Sequence, residues 1–231
     1  MIFEPVEALG ENVICFTTSI HGGVSENAYS ALNLAEHVGD IPAHVNQNRS
    51  RFKELLDRKV KQTSSADLLC ELNAIKWMNQ AHTTEVLDYN SLSKSECDGV
   101  YTHLSNTPLV VMTADCMPIM LYCSRSEQLA AIHAGWRGLM DGIIETTLSH
   151  FSHPEAVKVW IGPSICKKHF EVSLDIVHSF DHFADCVSRS KNDGKWCINL
   201  PMIAEQRLLQ SGVKEIQIAS QCTYQNKDLF S

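Results

Sequence analysis

Three short apolar runs between residues 109 and 133, followed at once by a glycine-bounded turn and a helical repeat, constrain this chain most. Leu109–Thr113, Ile119–Cys123 and Leu129–His133 are short for buried helices, and Asp115, Pro118 and a polar turn punctuate them. That is the pattern of neighbouring buried strands. Behind them Met140, Ile143, Ile144, Thr147, Leu148 and Phe151 recur at three- and four-residue spacing, which predicts one helix with a single buried face. Gly135 and Gly138 make the tight strand-to-helix turn that leads into it.

Around this centre the pattern adds strands at Val13–Thr18, Val157–Ile161 and Glu215–Ala219, and helices at Pro42–Leu56, Leu174–Phe183 and Pro201–Leu209. Strands and helices alternate irregularly, so the expected class is α+β, with stacked mixed sheets covered by helices instead of a simple wound parallel sheet. A chain of 231 residues with 44% hydrophobic content can hide roughly three quarters of its unfolded surface. One domain over residues 1–231 is the expectation, with Lys59 to Ala66 as a loop inside it.

Composition removes several function classes. A formal net charge of −8 works against sequence-independent nucleic-acid binding, which depends on neutralising phosphates with Lys and Arg. The most apolar stretch, Leu109 to Cys123, is broken by Asp115 and Pro118 and falls short of the roughly 20 residues of a membrane helix. The N-terminus carries no basic region followed by an apolar run, so a cytoplasmic protein with no membrane partner is expected. Nine cysteines are an odd number without a C-x-x-C pair, which argues against a disulfide framework or a zinc ribbon. No glycine-rich phosphate loop is present, leaving dinucleotide and ATP chemistry unsupported.

Polar residues capable of chemistry sit at the ends of the apolar runs: Asn79-Gln80-Ala81-His82, Thr113-Ala114-Asp115-Cys116 and His133-Ala134-Gly135-Trp136-Arg137-Gly138. Two imidazoles and a thiolate, His82, His133 and Cys116, are a donor set that zinc accepts with a fourth position left open. Taken singly, each is more often a satisfied core residue. Cys116 and His133 also fit a thiolate–imidazole hydrolase pair, which leaves His82 without a task. Asp115 is a candidate proton donor or orienting group, or else a hydrogen-bond acceptor for turn backbone. Arg137 and the helix start after Gly138 could hold an anion, with Trp136 as a stacking face; equally, Trp136 is core and Arg137 a surface ion pair. Gly22-Gly23-Val24-Ser25 reads as a turn.

These segments resemble a known family, the bacterial multicopper polyphenol oxidoreductase or laccase-domain proteins, also called purine nucleoside phosphorylase family proteins. The likeness runs through G-G-V-S at 22–25, S-A-L-N-L-A-E-H-V-G-D at 30–40, N-R at 48–49, Q-A-H at 80–82 and D-G-V at 98–100. It continues through T-A-D-C at 113–116, H-A-G-W-R-G at 133–138, I-G-P at 161–163 and C-T-Y at 222–224. The resemblance implies a single-domain four-layer α/β sandwich and zinc bound by His82, Cys116 and His133. It implies phosphorolysis of adenosine, inosine, guanosine and methylthioadenosine, with adenosine deaminase activity. In that reading Arg49 and Arg137 meet phosphate, Trp136 meets the substrate, and Asp115, Cys116 and His133 form the catalytic set.

Other descriptions of the family imply a copper-dependent polyphenol oxidase or a factor in editing peptidoglycan precursors. None of the 11 histidines forms an H-x-H pair of the kind a multicopper relay uses, although a mixed His/Cys site also accepts copper. The chain departs from the family in two places. Ser19-Ile20-His21 stands where an Arg usually precedes the G-G turn, and the chain stops at Phe230-Ser231 before a further Y-R-R segment. The resemblance therefore implies an altered anion site and a truncated C-terminus.

Overall fold

Two of the three central apolar runs pair as a hairpin, and the rest of the fold is laid on it. The computed structural model describes residues 2–63, 72–93 and 95–231. In chain order the strands are β1 (Ile2–Val6), β2 (Cys15–Thr18), β3 (Val86–Asp88), β4 (Gly99–Thr102), β5 (Met117–Cys123) and β6 (Gln128–Ala134). They continue as β7 (Val157–Ile161), β8 (Glu171–Val172), β9 (Val187–Arg189), β10 (Trp196–Ile198) and β11 (Glu215–Ile218). The helices are α1 (Pro42–Thr63), α2 (Trp136–Asp141), α3 (Ile143–Ser149), α4 (Leu174–His178) and α5 (Leu200–Gln210).

The main sheet has six strands in the order β11-β7-β5-β6-β4-β3. Its centre is antiparallel, and its two outer pairs, β11 with β7 and β3 with β4, are parallel. A two-stranded sheet of β1 and β2 and a three-stranded sheet, β8-β10-β9, complete a mixed α+β fold. Because successive side chains on a strand point to opposite faces, the central strands serve two cores. Ile119, Leu121, Ala130, Ile132, Val159 and Ile161 join Ile143, Ile144, Ile203 and Leu208 of α3 and α5 in the largest cluster. Met120, Tyr122 and Trp160 face the other way, toward Val6, Leu9 and Cys15. Among the described residues no helix is long and apolar enough to cross a membrane.

Several elements depart from the pattern read in the sequence. Leu109–Thr113 is not a strand. The Gln80 side-chain amide takes both backbone groups of Met112, donating to its carbonyl at 2.7 Å and accepting from its N–H at 2.8 Å, so this segment needs no ladder partner. The expected helix from Met140 is two helices. Gly142 adopts φ +99°, ends α2 with its N–H on the Gly138 carbonyl, and starts α3. α2 also begins at Trp136, before Gly138 rather than after it. α1 runs on to Thr63 through part of the stretch read as a loop, whose residues 64–66 lie outside the described residues. Leu174–Phe183 splits into α4 and a separate 3₁₀ turn.

One buried polar network fixes the loop between β2 and α1. Asn48, fully buried on α1, accepts from Val24 N–H at 2.8 Å and donates to Ser25 Oγ, Ala31 O and Asn33 O. Asp40 accepts from the Ser25 hydroxyl at 2.6 Å and from Asn33 Nδ2 at 3.0 Å. Gly23 is required by a close approach, since a Cβ there would lie 2.0 Å from the Ala31 carbonyl oxygen. Asn48→Ala leaves several of these buried groups without partners. It is expected to cost about 3 kcal/mol in urea unfolding, whereas a loss within about 0.5 kcal/mol would show that water substitutes for the amide.

Candidate metal centre and its cavity

His133 is the sixth residue of β6 and shares its parity with Leu129 and Ala131, so its ring leaves the sheet on the face away from α3. Its Nδ1 lies 2.7 Å from Oδ1 of Asp98, the residue just before β4, and its backbone N–H bonds the Asp98 carbonyl at 2.7 Å. Asp98 is completely buried. Its second carboxylate oxygen accepts from Ala81 N–H at 3.1 Å, Thr83 N–H at 2.6 Å and the Thr83 hydroxyl at 2.9 Å. One carboxylate thus grips the residues on either side of His82 with one oxygen and His133 with the other. His82 itself has φ +60°, a left-handed conformation that a non-glycine residue holds only where its surroundings impose it.

The third side chain comes from Cys116, at the turn entering β5. One donor atom each from His82, Cys116 and His133 lies within 4.8 Å of the others. Cys116 Sγ is 3.7 Å from His82 Nε2, and the two imidazole rings meet edge to face with centroids 4.8 Å apart. With zinc–sulfur bonds of about 2.3 Å and zinc–nitrogen bonds of about 2.0 Å, a tetrahedral ion separates S and N ligands by about 3.6 Å. The Cys116–His82 pair fits that spacing, and His133 completes a group within 4.8 Å. Room for it depends on Gly135, where a Cβ would fall 2.6 Å from His82 Cδ2 and 3.0 Å from Cys116 Sγ.

The electrostatics follow from these contacts. Burial opposes ionisation of Asp98, but the hydrogen bonds from His133, Thr83 and Ala81 outweigh it and bring the carboxyl down to about 2. Burial likewise opposes a charge on His133, and the bond to Asp98, followed by Cys116, carries its imidazole up to about 9. His82 is held below its ordinary value, first by burial and then by His133, with Arg137 adding to the effect and Asp98 opposing it. A neutral His82 presents a free nitrogen lone pair to a metal. The proton on His133 Nδ1 faces Asp98, which turns Nε2 toward the trio.

All three side chains open into a cavity of about 500 Å³. Its walls are mostly apolar, from Phe16, Leu32, Val111, Met112, Met120 and Trp160. The Leu109–Thr113 segment is read in sequence as a strand because cavity lining and sheet core draw on the same residue types.

Asp115, at φ +76°, accepts from the Thr223 hydroxyl at 2.6 Å, and its carbonyl accepts from Ile165 N–H at 2.9 Å. The cavity wall runs through Thr113, Ala114 and Cys116 and bypasses it. Arg49 bonds the Leu34 carbonyl at 2.9 Å and Glu36 at 2.6 Å while stacking on Trp77 at 4.2 Å, so its guanidinium holds the 34–36 loop. Trp136 packs against the main core, and exposed Arg137 lies 4.6 Å over its ring. Asp98 is not among the residues that the sequence marks as candidates. Its signal there is a carboxylate inside C-D-G-V, followed by a glycine whose Cβ would lie 2.8 Å from Val86.

A family model described as multi-copper polyphenol oxidoreductase laccase matches residues 14–231, and the chain belongs to that family. Among its relatives, a purine nucleoside phosphorylase of Haemophilus influenzae is 36% identical over 227 residues, covering 95% of this chain and 88% of that protein. The purine nucleoside phosphorylase YfiH of Escherichia coli K12 is 35% identical over 223 residues, covering 94% and 85%. The crystal structure of Neisseria meningitidis protein NMB0706 matches with a TM-score of 0.86 at 29% identity, over 100% of this chain and 92% of that one. YlmD from Geobacillus stearothermophilus matches at 0.75 with 25% identity, covering 94% and 84%.

Asp98→Asn keeps the shape of this residue but turns one oxygen of a carboxylate that two segments share into a donor. Zinc affinity, measured by competition with a chromophoric chelator, is expected to fall about 10- to 100-fold with the far-ultraviolet dichroism retained. Unchanged affinity would mean that Asp98 does not orient the trio.

Proposed function

We propose that the protein is a zinc-dependent purine nucleoside phosphorylase whose reaction centre is the His82, Cys116 and His133 trio. The observation that carries this reading is the trio itself, with one imidazole oriented by a buried carboxylate and all three side chains opening into a mostly apolar cavity. A volume of about 500 Å³ lies in the range of small-molecule sites. The names of the relatives supply the substrate class.

Zinc bound there supplies a Lewis acid with an open coordination position, which can polarise a substrate oxygen or lower the pKa of a bound water to about 7. The chain's own groups do the rest. The apolar walls take the purine and exclude water, Asp98 holds the proton of His133 on Nδ1, and Gly135 keeps the space beside His82 and Cys116 open. Arg137, exposed beside Trp136 outside the cavity wall and adding to the depression of His82 protonation, is the cation for phosphate. Arg49 and Asp115 act by position: Arg49 fixes the wall loop, and Asp115 ties the Cys116 turn to Thr223. The same centre serves deamination of adenosine, since that reaction also needs a water activated near neutral pH.

Zinc-loaded protein is expected to release hypoxanthine from inosine only when inorganic phosphate is present, with ribose 1-phosphate as the second product. Cys116→Ser should lower kcat/KM by more than about 100-fold. Phosphate-independent release, or full turnover by Cys116→Ser, would overturn the assignment. Ammonia released from adenosine by the same preparation, and lost in the same variant, tests the second activity.

A further inference from the structure

A second group of metal-binding side chains lies behind the Asp115–Cys116 turn, built from Cys166, His169 and Cys222. The chain leaves β7 and turns back on itself, with the N–H groups of His169 and Phe170 both bonding the Cys166 carbonyl, at 3.0 and 3.1 Å. This turn brings His169 over Cys166. Cys222 arrives from the segment after β11, bridged to Ser164, with Thr223 N–H on the Ser164 carbonyl at 3.1 Å. His169 Nδ1 is then 3.3 Å from Cys166 Sγ and 3.6 Å from Cys222 Sγ. The Tyr224 ring stacks on the imidazole at 4.5 Å and 25°, which fixes its plane.

We propose that Cys166, His169 and Cys222 bind a second zinc ion, one that fastens the segment after β11 to the turn after β7. Three observations support it. Both sulfur–nitrogen distances lie close to the roughly 3.6 Å that a tetrahedral zinc imposes on S and N ligands. Two sulfurs converge on one nitrogen, whereas a lone imidazole nitrogen makes one good hydrogen bond to a thiol or thiolate. The Cys166 N–H also donates to the Cys222 sulfur at 3.2 Å, which draws Cys222 onto the 166–169 turn. Cys222 is buried, while Cys166 and His169 are partly exposed, so an ion can enter and water can fill a fourth position.

The role is structural. Thr223, next to Cys222, donates to Asp115, and Ile165, next to Cys166, donates to the Asp115 carbonyl. A metal holding residues 166, 169 and 222 therefore clamps both segments that support the turn carrying Cys116. The inference rests on these contacts alone and is independent of the reaction assigned to the first trio.

Metal analysis of the purified chain under reducing conditions is expected to find two tightly held zinc ions, one of which remains in Cys116→Ser. Cobalt added to metal-free Cys116→Ser should give a thiolate-to-cobalt charge-transfer band and the visible absorption of a tetrahedral ion. Both should disappear when Cys166→Ser is added, and His169→Ala provides an independent second variant should that one fold poorly. Retention of no zinc by Cys116→Ser, with cobalt spectra lacking the thiolate band, overturns the proposal. So does a peptide map showing Cys166 and Cys222 joined as a disulfide that a reductant opens without metal uptake.

Discussion

The geometry of the candidate centre depends on one buried carboxylate. Isolating Asp98 from water costs several kcal/mol unless its oxygens are fully engaged, and here hydrogen bonds from Ala81, Thr83 and His133 engage both of them. Those donors belong to segments that the chain brings together only on folding. The carboxylate therefore converts its own demand for partners into a distance constraint between His82 and His133. Satisfying Asp98 and assembling the trio are one structural event.

The cavity beside the trio is shaped by a second polar device of the same kind. An apolar wall has no directional preference by itself, and a loop such as 28–38 could collapse into the space it lines. Asn48 prevents this from within α1 by taking up backbone carbonyls at Ala31 and Asn33 and the Val24 N–H. Asp40 closes the network through Ser25 and Asn33. Arg49, one residue along the helix, reaches Leu34 and Glu36 on the same loop. Buried hydrogen bonds of this kind contribute modest net stability but carry a large penalty when broken. They hold a single loop conformation around an otherwise unspecific apolar space.

The sequence is most informative where periodicity and burial coincide. Ile119–Cys123, Leu129–His133 and Val157–Ile161 fall within observed strands because each is bounded by turn residues and buried on at least one face, and Glu215–Ala219 overruns the half-exposed β11 by one residue. Periodicity misleads at Leu109–Thr113, where the apolar side chains line a cavity and Gln80 stands in for a strand partner. It also cannot register Gly142, whose left-handed backbone splits the helical repeat without interrupting its spacing. Strands of two or three residues, such as β8 or β3, are too short to show a period. His82, Cys116 and His133 are legible as donor types beside apolar runs, although His82 lies in an irregular segment before β3 and not at a strand end. Asp98 is not legible, because a carboxylate's importance here comes from partners supplied by distant segments.

Register links these levels. On β6, Ala130, Ile132 and Ala134 pack against the helices while Leu129 and His133 face the cavity, so a slip of one residue would bury the imidazole under α3 and expose Ile132. Small residues keep the register where the chain crosses the centre: Gly99 lies opposite Ile132 and Gly135 follows the strand beneath His82 and Cys116. On the proposed reading, metal affinity is then coupled to folding, because no two of the three ligands come from one segment. An ion that binds only the assembled state stabilises it by mass action. A second trio acting on the segments behind Cys116 extends that coupling to the far side of the turn. The two ions would favour the same folded arrangement of β5, β7 and the chain after β11.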